Sequence, residues 1–283
     1  MKKGLVMEGG AMRGLFTAGV IDVFMENNID FDGAIGVSAG AAFGCNIKSK
    51  QIGRALRYNT RYCKEWRYAS FRSWFLTGDL YGGEFDYQLL PSKLDPWDTD
   101  TFKKNPMEFW CVATDIHTAE PLYHKCTDGG KEDLLWIQGS ASMPIFSRPV
   151  HVDGKEIEDG GCSDSVPLKF FEEKGYDRNV VILTQPADYR KKPYDKKMLV
   201  IMKAALHKYP LLYEELRDRW KAYNEEIASI VEQEKEGKVY VIRPEKSLNI
   251  GSVCHDPDEL KRVYIEGRTC ALKQLKQVRE YLQ

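Results

Sequence analysis

From residue 2 the chain sets a short apolar run (KGLVME) against a glycine-rich turn, then a long apolar stretch that reaches about Asn27. A second apolar run, GAIGVS, ends at Ser38, and the small residues AGAAFG after it contain no proline to stop a helix. Two runs too short to be helices, each feeding a helix, are the pattern of β-α-β winding around a parallel sheet. Strands are expected again over MEFWCVATDI, PLYHKC and NVVILT, the last a buried central strand, with a helix over DLLWIQGSA. The final third changes period. Leu212, Leu216, Tyr223, Ile227 and Ile230 recur at helical spacing after Pro210, and KVYVIRP interrupts as a short strand. Asp256-Pro257-x-Glu259 then gives the last helix a cap, a first-turn proline and a capping acid.

Between the second helix and the MEFWCVATDI strand the pattern is less regular. Over residues 51–68, Ile52, Leu56, Cys63 and Trp66 fall near helical spacing with Arg54, Arg57, Arg61 and Lys64 on another side, predicting an amphipathic basic helix. Residues 58–97 hold eleven aromatics in a stretch broken by Gly78, Gly82, Gly83 and Pro91, and are expected to form an irregular excursion from the sheet.

Composition narrows the class. The 283 residues, 43% hydrophobic and 29% charged, suit one large domain, and no repeat, linker or composition shift divides them. A formal net charge of −1 gives no global field toward nucleic acid. Seven cysteines, odd in number and never in C-x-x-C spacing, argue against a disulfide framework or a zinc site and for buried reduced thiols. Glu8 and the glycines cut the first apolar run short of a signal peptide, and no stretch reaches membrane-spanning length, so the expected location is the cytoplasm.

The first turn, Gly9-Gly10-Ala11-Met12-Arg13-Gly14, lacks the middle glycine of a dinucleotide fingerprint and the GK[ST] of a phosphate loop. Its amides from Gly9 to Ala11 stand at a helix start, where they stabilise a negative oxygen such as the oxyanion of an acyl transfer; a plain tight turn is the alternative. Gly36-Val37-Ser38-Ala39-Gly40 fits G-x-S-x-G at a strand-to-helix junction, the setting that exposes a serine hydroxyl as a nucleophile. Its base is less plain. His207 or His255 would satisfy a Ser…His order, but Ser38 follows only the second strand, which disfavours the usual triad. An aspartate serves if burial raises its pKa, and two Asp-Gly-Gly sites compete. Asp128-Gly129-Gly130 lies among charges, as a solvated turn would; Asp159-Gly160-Gly161 follows a hairpin expected at Asp153-Gly154.

Together these residues resemble the patatin-like phospholipase family over roughly the first 190 residues. GGAMRG corresponds to the family's G-G-G-x-[RK]-G oxyanion loop, GVSAG to its elbow, and Asp159-Gly160-Gly161 to its catalytic D-G-[GA]; the A-S-x-x-x-P run within GSASMPIFSRP favours Asp159 over Asp128. The resemblance implies a single three-layer α/β/α domain over 1–283, with a mainly parallel sheet, a motif-bearing core of about 1–190 and a helical extension of about 191–283. It implies a Ser38–Asp159 dyad cleaving acyl esters, commonly of lipids, without metal or cofactor. Gly9, Gly10 and Ala11 would hold the oxyanion, Arg13 would order the loop, and Gly14, Gly36, Gly40, Gly160 and Gly161 would support loop and elbow. Ala11 departs from the family's third glycine, and its part in the oxyanion hole is expected to survive where its φ is negative. Residues 51–97 could then form an acyl pocket or a lid at a membrane surface, with the basic helix on anionic headgroups, or a packed subdomain with a solvated basic face. A catalytically idle relative binding a lipid or protein through the same cleft is the competing function.

Overall fold

The computed structural model describes residues 1–283. Eight strands, β1 (Lys2–Met7), β2 (Gly33–Val37), β3 (Glu108–Asp115), β4 (Pro121–Cys126), β5 (Val150–Val152), β6 (Lys155–Asp159), β7 (Tyr176–Ile182) and β8 (Val239–Ile242), form one sheet. Its order is β5-β6-β3-β2-β1-β7-β8, with β4 also on β3. The five strands from β3 to β8 are parallel, while β4, β5 and β6 pair antiparallel at one side. The β5–β6 hairpin turns where the sequence predicts, at Asp153 (φ 51°) and Gly154 (φ 72°), the left-handed pair of a two-residue turn.

Ten α-helices cover the sheet: α1 (Gly14–Glu26), α2 (Ala39–Lys48), α3 (Arg54–Tyr62), α4 (Phe71–Thr77), α5 (Thr99–Lys104), α6 (Lys131–Ser140), α7 (Leu168–Glu173), α8 (Lys196–Ala205), α9 (Pro210–Lys235) and α10 (Pro257–Tyr281). Successive strand residues point to opposite faces, and this alternation divides the core. Leu5, Met7, Ala34, Val180 and Ile182 pack in one cluster with Phe16, Phe24 and Val263 of α1 and α10. Val6, Ile35, Val37 and Val181 pack in the other with Phe171 of α7 and Tyr223, Ile227 and Ile230 of α9. The result is a three-layer α/β/α architecture, as expected. The five residues of the C-terminal stripe are the buried residues of α9.

Four expectations change in detail. Residues 58–97 are not irregular. Gly53 (φ 74°) starts α3, α4 follows, and a π-helical turn over Phe85–Leu94 contains Pro91, whose missing N–H a widened ladder tolerates. Nor is the basic face of α3 wholly free. Arg54 is 4% exposed with its guanidinium on the Asp95 carbonyl, while Arg57 pairs with the Asp95 carboxylate at 2.7 Å and stays exposed, as do Arg61 and Lys64. Five cysteines are buried, but Cys254 and Cys270 are partly exposed; all seven are free. At the start of α10, Asp256 accepts from the Asp258 amide at 2.9 Å, while Glu259 pairs with Arg262 instead of capping. No helix is long and apolar enough to cross a membrane.

Candidate active site

Between β2 and α2, Ser38 is held at φ 55°, ψ −122°, a strained position for a residue with a side chain and the mark of a sharp elbow. The flanking glycines are required by contact. A Cβ at Gly36 would meet the Gly40 carbonyl oxygen at 2.3 Å, and one at Gly40 would meet the Met7 carbonyl oxygen at 2.5 Å. The Ser38 amide donates to the buried Ser140 Oγ of α6 at 2.9 Å, a second tie on the elbow.

That partner is Asp159. β6 lies beside β3 and β3 beside β2, so the end of β6 comes to the elbow, and Ser38 Oγ donates to Asp159 Oδ2 at 2.7 Å. Oδ1 accepts the Gly161 amide at 2.8 Å, so both carboxylate oxygens are oriented. Burial pushes the Asp159 carboxyl up from its usual range, opposed by the Arg219 charge and by the bonds from Ser38 and Gly161. Gly160 and Gly161 form the short 3-10 turn that follows, Gly160 against the Val112 carbonyl and Gly161 against Arg219. Asp128 is exposed and its Oδ1 accepts the Gly130 amide at 2.8 Å, a local turn away from Ser38. His207 Nδ1 sits on the Ala204 carbonyl and His255 Nδ1 on the Cys63 carbonyl.

The glycine loop faces the same point. Gly9 lies against Ser38, where an added Cβ would be 3.0 Å from the serine Cβ, and the amides of Gly9, Gly10 and Ala11 are used in no backbone hydrogen bond. Ala11 has φ 49°, so the negative φ on which its expected part in the oxyanion hole depends is not met; the left-handed region costs an L residue roughly 1–2 kcal/mol but leaves its N–H in place. The Arg13 guanidinium stands beside Gly10, and Gly14 lies where α1 meets Ala39 of α2. Glu8, at the base of the loop, is buried and accepts from the Thr184 amide and from Tyr223 OH at 2.7 Å.

Two cavities open at Ser38. One of about 90 Å³ has an apolar wall including Ala42, Phe43, Leu90, Trp97 and Ile137, with Asp86 set into it. The other, about 260 Å³, holds Asp159 and is lined by Arg13, Lys191, Tyr194 and Arg219. Lys191 is pushed down to about 7 by burial and by the nearby Arg219 charge. Sequence reasoning missed Ser140, Asp86, Lys191 and Arg219. Only Arg219 left a signal: it falls between Leu216 and Tyr223 at the spacing of the apolar stripe, where a charge is out of place. Elsewhere His124, Cys126 and Asp133 bring ligand atoms within 4.8 Å of one another. Asp133 already accepts three amides on Oδ2 and His124 on Oδ1, so this group clamps the 127–129 loop by hydrogen bonds.

Fold and geometry thus define an α/β protein with an elbow serine bonded to a buried aspartate beside a loop of free amides. Residues 5–171 match the family model described as patatin-like phospholipase, and the chain belongs to that family. Residues 209–283 match a second model, a domain of unknown function (DUF6363). The chain is 33% identical over 192 residues to the uncharacterized protein YjjU of Escherichia coli (strain K12), an overlap of 65% of this chain and 52% of YjjU. It is 26% identical over 181 residues to the lysophospholipase nte1 of Aspergillus fumigatus, 62% of this chain and 11% of that protein. Among solved structures, VipD from Legionella pneumophila aligns with a TM-score of 0.49 at 13% identity, over 98% of this chain and 67% of VipD. The chain therefore spans about half of YjjU and about a tenth of the lysophospholipase.

Proposed function

We propose that the protein is a serine acyl hydrolase of lipid esters that works through a Ser38–Asp159 dyad and an acyl-enzyme. The 2.7 Å bond from Ser38 Oγ to Asp159 Oδ2 carries this reading. As Ser38 Oγ bonds to the ester carbonyl carbon, its proton passes to Asp159, and the oxyanion is held by the amides of Gly9, Gly10 and Ala11. Collapse breaks the ester bond; the leaving alcohol takes the proton from Asp159 and Ser38 carries the acyl group. Asp159 then takes a proton from water as it attacks, and the second collapse breaks the acyl–Oγ bond, returns that proton from Asp159 to Ser38 Oγ and releases the carboxylic acid.

The 191–283 region belongs to this same unit in our reading, since α9 supplies Arg219 to the cavity and Tyr223 to Glu8. Approach to lipid is assigned to α4. Phe71, Phe75 and Leu76 are 69%, 86% and 59% exposed, and the helix is tied to the cavity rim by the Trp74 indole, which donates to the Ile145 carbonyl at 3.1 Å. The test of the chemistry is labelling by a fluorophosphonate probe. Folded protein is expected to label and Ser38→Ala not to; equal labelling of the two, or none of either, sinks the hydrolase reading.

A further inference from the structure

The smaller cavity has one feature that a plain hydrocarbon channel does not need. Asp86, in the π-helical turn Phe85–Leu94, lines it with an Oδ1 that is closed off from solvent and meets no hydrogen-bond partner in the protein. The one cation on the wall, Arg54, is committed elsewhere, through Nη1 to Asn46 Oδ1 at 3.1 Å and through Nε and Nη2 to the Asp95 carbonyl. Tyr68 donates to Asn59 Oδ1 at 2.6 Å and Tyr81 to the Ser252 carbonyl, so those hydroxyls are also spent. Tyr58 and Tyr87 complete the polar part of an otherwise apolar lining.

A buried polar group without a partner is unfavourable to folding, and in native proteins such groups call for an explanation. Nothing in the chain compensates this one. Burial raises the Asp86 carboxyl well above its usual range, which favours the protonated form, with one O–H donor and acceptor oxygens. A cationic ligand would have to shed its water to reach it, whereas a hydroxyl fits an apolar cavity at small cost and answers both donor and acceptor, and a keto oxygen answers the donor.

We propose that this cavity is an acyl site with a polar station, which takes an acyl group bearing a hydroxyl or keto oxygen along its chain, and that Asp86 is the residue that selects it. The assignment rests on the ester-hydrolase reading of Ser38 and deepens it on the acyl side.

The experiment compares straight-chain acyl esters of equal length, unsubstituted or carrying one hydroxyl at successive carbons, on the full chain. At least one hydroxyacyl ester is expected to exceed its parent about tenfold or more in kcat/KM, because a site built to hydrogen-bond rejects the analogue that leaves it unpaired. Asp86→Leu should reverse that preference, and Asp86→Asn, which keeps a donor and an acceptor, should retain part of it. In parallel, calorimetry on Ser38→Ala compares the free hydroxy acid with the plain acid, so that binding is read without turnover; adding Asp86→Leu should abolish the difference. Indifference of the native protein to a hydroxyl at every position, or a preference that survives Asp86→Leu, overturns the polar station. Hydrolysis of plain esters without such preference leaves the hydrolase reading standing and removes only this one. Inertness toward every ester, with no acid bound, removes both.

Discussion

Ser38 and Ala11 are both held at positive φ, 55° and 49°, and each carries a side chain there. For Ser38 the strain goes with exposing the hydroxyl. For Ala11 the methyl group contributes nothing to the amide loop, so Ala11→Gly should relieve the left-handed penalty and offset the added freedom of the unfolded chain. A net gain of about 0.5–1 kcal/mol in urea denaturation, with ester turnover kept, is expected; a loss of stability would contradict the left-handed placement. Asp159→Asn should lower ester kcat by about 10²–10⁴-fold, the usual worth of a general base, while Asp128→Asn leaves most of it. The reverse outcome would reassign the base. These residues were legible in the sequence because they sit in short local motifs, yet two Asp-Gly-Gly copies differ only in where the sheet carries them. Only β6, paired through β3 toward β2, reaches the elbow.

At the scale of elements, α9 reaches into the site from the part of the chain that matches a domain of unknown function. Arg219 lines the cavity of Asp159, its Nε is buried without a partner, and its charge lowers the Asp159 pKa against the rise from burial. The sign is fixed by the protonation state required. In the proposed dyad Asp159 has to be a carboxylate to accept the serine proton, so activity is expected to fall as pH drops through its pKa, and a raised pKa puts this acid limb above the ordinary carboxylate range of about 4. Arg219→Gln removes an opposing cation, leaving Lys191, Ser38 and the Gly161 amide facing the carboxylate, and should move the limb of kcat/KM up by about one pH unit. Arg219→Lys should hold it near the native position. An unmoved limb in Arg219→Gln would make the residue structural only. The apolar stripe made α9 readable as a helix, but which cavity Arg219 enters depends on the angle at which that helix lies on β7 and β8, and no periodicity encodes that angle.

Across the whole molecule the approach to substrate is asymmetric. The apolar residues of α4 stand at one rim of the site, while on α3 Arg54 is buried against Asp95 and Arg57, though paired with the same carboxylate, stays exposed with Arg61 and Lys64. Contact with lipid is expected to depend on Phe71, Phe75 and Leu76, the exposed apolar residues of α4. Phe75→Glu should lower turnover of an ester presented in vesicles, relative to the same ester as a monomer, by about tenfold, as the loss of roughly one buried aromatic side chain would. An unchanged ratio would remove α4 from the membrane reading.

The sequence alone determined the strands, the elbow, the hairpin and the buried stripe of α9, because each is set by patterning over fewer than about twenty residues, where side-chain period and turn chemistry act directly. Tertiary structure decided what those elements meet: Ser38 with Asp159, Glu8 with Tyr223, Arg54 with Asp95, and Asp86 with nothing. Each depends on packing between distant segments, and packing fixes partners through shape and burial that the local pattern does not contain.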